Sequence, residues 1–285
     1  MMDFKNLEKT YLIAEIGINH NGDLDIAKRL IDASYAIGWD CVKFQKRTPD
    51  ICVPDHQKNI LRETPWGKIT YIEYKHKVEF DENQYSHIDD YCSSKSPCID
   101  WTASVWDLDS LDFILNYKKI PFIKIPSAMM NNHELLKECA TSDKPIIFST
   151  GMSTLQEVDN AVNLVSKYNN NFCLMHTNST YPSPIEDLNL SLIPFYKDRY
   201  KCTVGYSGHE YNIEPSVMAV ALGAKVIERH ITLDHEMWGT DHKASLTISG
   251  MDRLLVRIKT AEKALGKPLK KITETEKDIR KKLSN

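Results

Sequence analysis

No run in this chain approaches the roughly 18 apolar residues a membrane-crossing helix needs. The opening Met-Met-Asp-Phe-Lys-Asn-Leu-Glu-Lys lacks the apolar core of a secretory signal, so a cytoplasmic protein is expected. Seven cysteines, at Cys41, Cys52, Cys92, Cys98, Cys139, Cys173 and Cys202, are scattered and never spaced C-x-x-C. That excludes the usual zinc spacing and argues for reduced, buried thiols rather than a disulfide framework. Positive charge is not in excess either: 36 Lys and Arg stand against 39 Asp and Glu, for a net charge of −3. Nothing here invites nucleic acid. Linkers rich in Gly or Ser and low-complexity stretches are also missing. What remains is 285 residues of ordinary apolar content, enough for one large domain or two small ones.

Short β-branched runs alternate with helical patterns along the whole length. The strand-like runs are Tyr11–Ile18, Cys41–Gln45, Ile99–Ser104, Phe122–Pro126, Pro145–Thr150, Phe172–Thr177, Cys202–Ser207 and Val226–Ile231. Between and after them, apolar residues recur at three and four in Leu24–Ile37, Glu82–Ser93, Leu108–Tyr117, Asn132–Ala140, Leu155–Tyr168, Glu214–Leu222 and Met251–Leu265. Eight such units fit an α/β fold, a (β/α)8 TIM barrel over residues 1–266, better than an open doubly wound sheet. Residues 47–78 form a long, polar, proline-bearing insertion that reads as an active-site loop with short local structure. Residues 267–285 mix both charge signs and read as a solvated helical tail.

In a barrel, chemistry belongs where strands give way to their following loops. His209 and His230 stand at two such ends, a placement suited to a divalent metal, although either could be an ordinary polar strand-end residue. Lys43 and Lys124 lie inside apolar strands, Cys41-Val-Lys-Phe-Gln and Phe122-Ile-Lys-Ile-Pro. A lone buried ammonium is costly, and helices cover the outer face, so both should point into the barrel mouth toward a partner. Ser127, Ser149, Ser179 and Ser207 add hydroxyls at successive strand ends. Two ammonium groups and several small donors suit an anion with many oxygens, such as a phosphate beside a carboxylate.

Seven stretches in order, Ala14-Glu-Ile-Gly-Ile-Asn-His-Asn-Gly22, Val42-Lys-Phe-Gln45, Phe122-Ile-Lys-Ile-Pro-Ser127, Ser149-Thr-Gly-Met152, Tyr181-Pro182, Gly205-Tyr-Ser-Gly-His209 and Glu228-Arg-His230 through Ser245, resemble the N-acetylneuraminate (sialic acid) synthase family. The resemblance implies a TIM-barrel transferase that condenses phosphoenolpyruvate with an open-chain aldose, N-acetylmannosamine or a related hexose, to a 2-keto-3-deoxy nonulosonic acid. It implies a divalent metal, manganese first, with magnesium or cobalt as alternatives, held by His209 and His230. Lys43 and Ser104 match positions for the phosphoenolpyruvate carboxylate. Lys124, Ser127, Ser149, Ser179 and Ser207 match its phosphate pocket, and Gln45, Tyr181 and Asp241 match residues near the sugar. Glu15 matches the carboxylate beside the reacting centre. Metal binding needs neutral imidazoles, so activity is expected to fall below about pH 6.5.

Two departures bear on the acceptor. Pro126-Ser-Ala-Met129 puts a thioether where the family has a carboxylate for sugar hydroxyls, and Trp238 replaces a smaller residue. The family's C-terminal antifreeze-like domain is expected to be missing, leaving a bare barrel expected to pair as a homodimer or tetramer. Competing readings are a synthase for another ulosonic acid with a non-acetylated or phosphorylated acceptor, a metal-dependent aldolase using pyruvate, and a catalytically silent sugar-binding subunit.

Overall fold

Strands that bury both faces need apolar side chains at nearly every position, and the β-branched runs supply them. The computed structural model describes residues 2–284. Its strands are β1 (Tyr11–Gly17), β2 (Cys41–Lys46), β3 (Leu61–Thr64), β4 (Gly67–Thr70), β5 (Asp100–Val105), β6 (Ile123–Ile125), β7 (Ile146–Ser149), β8 (Phe172–Thr177), β9 (Thr203–Gly208) and β10 (Val226–His230). All but β3 and β4 close into a parallel barrel in the spatial order β1-β10-β9-β8-β7-β6-β5-β2. This is the (β/α)8 TIM barrel the alternation predicts.

Side-chain alternation sorts each strand into two faces. Leu12, Ala14 and Ile16 of β1 join the outer core with the surrounding helices. Tyr11 and Ile13 face the axis, where Cys41, Phe122, Ile147, Cys173, Met175 and Val226 pack into a separate inner cluster. Phe4, from a turn ahead of β1, closes the floor with its ring 5.8 Å from that of Phe122. The same period carried two residues further brings Glu15, Lys43, Lys124, Ser149, Thr177, Ser207 and Glu228 onto the inner face one layer up. Apolar below and polar above, the barrel has one chemical end.

Helices Leu24–Ile37 and Glu82–Ser93 keep the bounds their periodicity predicts. Asp23 caps the first by accepting from the amides of Asp25 and Ile26. Helix Leu192–Tyr200 is one that periodicity misses: Pro194 sits in its first turn, where proline is tolerated, and its apolar residues come in adjacent pairs. The 47–78 insertion folds into short helices, the β3–β4 hairpin and helix Tyr71–Val78, whose start Thr70 and Glu73 secure in a capping box. Helix Ile248–Leu265 covers the barrel after β10, and helix Glu274–Leu283 lies within the charged tail. Among the described residues no helix is long and apolar enough to cross a membrane.

Candidate active site

The β1–β2 register sets Glu15 beside Lys43, and the β1–β10 register sets Glu15 beside His230. Ser207 stands beside Glu228, and Ser104 beside Lys124. Neighbouring strands thus deliver a ring of charges without help from loops. Lys43 Nζ is 2.6 Å from Glu15 Oε2 and 3.7 Å from Glu228 Oε1, while Lys124 Nζ is 3.2 Å from the same Glu228 oxygen. None of these side chains is more than 5% exposed.

Four buried charges survive because they alternate in sign. Burial opposes the Lys43 charge, but Glu15 and Glu228 outweigh it and hold its pKa above the ordinary lysine value. For Lys124 burial wins, aided by Lys43 and opposed by Glu228, and its pKa falls below that value. Burial works against the Glu228 carboxylate too, yet Lys124 and Lys43 bring its pKa down to about 2. One Glu228 oxygen and the Ser149 hydroxyl are buried with no hydrogen-bond partner. A bound ligand with both donors and acceptors would meet them.

On the β6–β7 side the serines gather around Gly151. Its amide donates to Ser127 Oγ at 3.1 Å. A Cβ there would collide with Ser179 Oγ and stand 2.8 Å from Ser127 Oγ, so only glycine lets these hydroxyls converge. Backbone amide and hydroxyl donors at one point make an oxyanion cradle. Gly17 ends β1 at φ +57, a left-handed backbone that favours glycine, and a Cβ there would stand 3.2 Å from the Gln45 and Glu15 side chains and 3.5 Å from His230.

Opposite the cradle the two imidazoles lie with ring centroids 5.4 Å apart. His209 Nδ1 is 2.6 Å from the Asn178 carbonyl, which can only accept, so Nδ1 carries the proton and Nε2 a lone pair. The Tyr181 hydroxyl donates to that Nε2 at 2.9 Å. Burial, with the neighbouring His230, lowers the His209 pKa to about 3, so this ring is neutral. The expected loss of neutral imidazole near pH 6.5 is therefore revised for His209. His230 Nδ1 is buried without a hydrogen bond, 3.9 Å from Asp241 Oδ2. No group of three His, Cys, Asp or Glu residues able to hold a metal ion occurs among the described residues. Two convergent imidazoles, 5.4 Å apart between ring centroids, still fit a cation whose other positions stay open to substrate or water.

One cavity of about 190 Å³ is lined by Glu15, Lys43, Gln45, Ser104, Lys124, Ser127, Ser149, Ser179, Tyr181, Ser207, His209 and His230. Asp241 lies just outside it, behind His230. Glu228, to which the sequence alone assigned no role, lines it as well. Its signal was available, since it stands two residues before His230 on the same strand face. Met129 does not replace a sugar-gripping carboxylate here: it packs against the outer core, and Met152 lines the cavity instead. Behind His209 the fully buried Arg229 pairs with Glu210 at 3.0 Å and reaches the Glu210 and Asn212 carbonyls, tying the two histidine-bearing strand ends together.

Residues 30–270 match the model of the NeuB family. The chain is 39% identical to human N-acetylneuraminate-9-phosphate synthase over 278 residues, covering 96% of this chain and 76% of that protein. It is 38% identical to N,N'-diacetyllegionaminic acid synthase of Campylobacter jejuni, covering 95% and 81%. Among solved structures, the N-acetylneuraminic acid (sialic acid) synthetase of Leptospira borgpetersenii in complex with citrate superimposes with a TM-score of 0.86. There the identity is 28%, over 97% of this chain and 93% of that one.

Proposed function

Because this chain belongs to the NeuB family, we propose that it is a synthase joining phosphoenolpyruvate to an open-chain aldose. The products are a nonulosonic 2-keto-3-deoxy acid and inorganic phosphate. The observation that carries this reading is the mouth itself: two ammonium groups, two carboxylates and a converging set of serine hydroxyls in one cavity.

Lys43 and Ser104 hold the phosphoenolpyruvate carboxylate, from the β2 and β5 side. Lys124 and Ser207, with Ser127, Ser149 and Ser179 around the Gly151 amide, hold the phosphate. The partnerless Ser149 hydroxyl supports that assignment, since a buried donor without an acceptor costs stability that a bound oxyanion returns. Gln45, Tyr181 and Asp241 bind the acceptor's hydroxyls. With both ends fixed, carbon 3 of the enol faces the aldehyde carbon, and positioning supplies much of the acceleration.

His209 and His230 would hold a divalent cation, manganese first and magnesium or cobalt next, whose chemistry is Lewis acidity toward the aldehyde oxygen. Once the carbon–carbon bond forms, positive charge grows at carbon 2 and water adds there. Glu15 orients that water and takes its proton. Lys43, 2.6 Å away, fixes the carboxylate in place. Collapse of the tetrahedral centre then breaks the bond to the phosphate oxygen, and Lys124 meets the departing charge.

Mixing the protein with manganese, phosphoenolpyruvate and a panel of aldoses tests the reading. Phosphate release together with a product mass equal to aldose plus pyruvate is expected. No release with any aldose would overturn it in favour of a silent binding subunit. Product formed from pyruvate instead would favour an aldolase.

A further inference from the structure

Lys43 and Gln45 share the inner face of β2, and Arg47 continues the same parity just past the strand's end. It stands behind the reaction cavity rather than in its lining. Arg47 is only 6% exposed, and its Nε is buried without a hydrogen-bond partner. The carboxylates on either side of it are taken. Glu79 accepts from the Arg47 backbone amide and from Lys46 Nζ, each at 3.0 Å, and Asp107 accepts from Thr48 and Cys52. Among the described residues no carboxylate pairs with the guanidinium, a costly setting for a buried cation.

The guanidinium is held firmly all the same. Its Cζ lies 4.5 Å over the Trp106 ring, and the Trp106 indole is anchored in turn by donating to Ser104 Oγ at 3.3 Å. Backbone bonds to Glu79 and, from Thr48, to Asp107 at 2.7 Å pin the chain before and after the side chain. Its one side-chain hydrogen bond runs from Nη2 to Gln45 Oε1.

Gln45 passes the constraint on. Its Nε2 donates to Glu15 Oε1 at 3.1 Å, while Lys43 holds Glu15 Oε2 at 2.6 Å. A guanidinium only donates and a carboxylate only accepts, so one orientation of the Gln45 amide satisfies both neighbours. Turned over, it would set donor against donor at Arg47 and acceptor against acceptor at Glu15. We propose that Arg47 is a positioning residue of the reaction: its guanidinium locks the Gln45 amide, and through it holds Glu15 in the place from which it acts on water. The inference rests on the synthase reading above. Trp106 is the platform that keeps the guanidinium aimed, and the otherwise unpaired cation is retained for that aim.

Arg47→Met is the first variant, because its flexible thioether chain still covers Trp106 while the donor to Gln45 is lost. In phosphate release with manganese, phosphoenolpyruvate and the aldose that wild type turns over best, kcat should fall by about 10- to 100-fold, the scale of a misplaced catalytic group. KM for phosphoenolpyruvate and for the aldose should each stay within about threefold. In a Gln45→Met background the same substitution should cost less than about threefold more, since the amide it acts through is gone. A rise in aldose KM at unchanged kcat would make Arg47 an acceptor-binding residue and overturn the proposal. The full loss persisting in the Gln45→Met background would show that Arg47 acts by another route and overturn it as well. Arg47→Lys keeps a donor without the flat stack, should fall between wild type and Arg47→Met, and carries the test if Arg47→Met does not fold. A second arm needs no turnover: NMR exchange with water of the Gln45 side-chain amide protons, identified by their absence from Gln45→Met. Exchange about tenfold or more faster without the guanidinium supports the lock even if no aldose condenses and the synthase reading falls. Unchanged exchange sinks it.

Discussion

Lys43 and Glu15 are direct partners in the β1–β2 register, and their charged ends close to 2.6 Å in a nearly dry interior. Strand pairing alone brings them together, so the carboxylate is preorganised before any ligand arrives. Glu15→Gln keeps the shape and removes the charge. Its kcat should drop by roughly 10²–10⁴-fold, the usual span for losing a general base, with phosphoenolpyruvate KM changed far less. Steady-state phosphate release measures this, and an unaltered kcat would remove Glu15 from the chemistry.

Lys124 lines the same cavity as Ser127, Ser149 and Ser179. Lys124→Met should raise the phosphoenolpyruvate KM by about 10- to 100-fold, as expected for one lost bond to a charged group. The KM for the aldose should hardly move. If both rise together, the lysine serves the fold rather than the phosphate.

Tyr181 competes for the His209 lone pair, with its hydroxyl 2.9 Å from Nε2. Chelator treatment should abolish turnover, and manganese should restore it. Tyr181→Phe should then need less manganese for half-maximal recovery while its aldose KM rises. Activity that persists after exhaustive chelation would dismiss the metal altogether.

Arg229 and Glu210 form a fully buried pair 3.0 Å apart. Arg229→Met strips the buried Glu210 of its cationic partner and leaves it only the Tyr206 hydroxyl, at a cost of about 3–5 kcal/mol. A lowered Tm by calorimetry and weaker metal recovery should appear together. Wild-type stability in this variant would show that water or another group has replaced the guanidinium.

Acid stability follows from two histidines. Burial lowers both His20 and His209 from 6.5 to about 3, so each is neutral when folded and takes up a proton on unfolding between those values. The unfolded chain then binds more protons, and stability, fully present above about pH 6.5, is lost as pH falls below it. Two groups imply a slope of about 2.7 kcal/mol per pH unit. Urea unfolding of ligand-free protein from pH 7 to pH 5 should show a fall, and His20→Phe, which keeps the stack on Phe80, should lessen it. A flat profile would mean that His20 and His209 titrate normally.

Much of the site was readable because a barrel strand has a period of two. Once Lys43 and Lys124 are placed on the inner face, every second residue on their neighbours must share it. Glu228 is reached by the same rule, although its role emerges only from its distances to both lysines. The side chain of Met129 shows the opposite case. Its position beside Ser127 suggested the sugar, but a tight turn aims it at the outer core. Backbone direction in turns depends on what packs beneath them, and no local pattern encodes that.

Eight alternating units, their register-ready polar layer and the absence of alternatives in composition were matters of sequence alone, since hydrophobic periodicity is a local property of the chain. Only the closed fold decided which charges neutralise one another, that His209 is held neutral by burial, and that the 47–78 insertion meets Trp238 to wall a second cavity. Those outcomes depend on distances between residues far apart in the chain and on how much water is excluded between them. Both quantities come into being when the barrel closes.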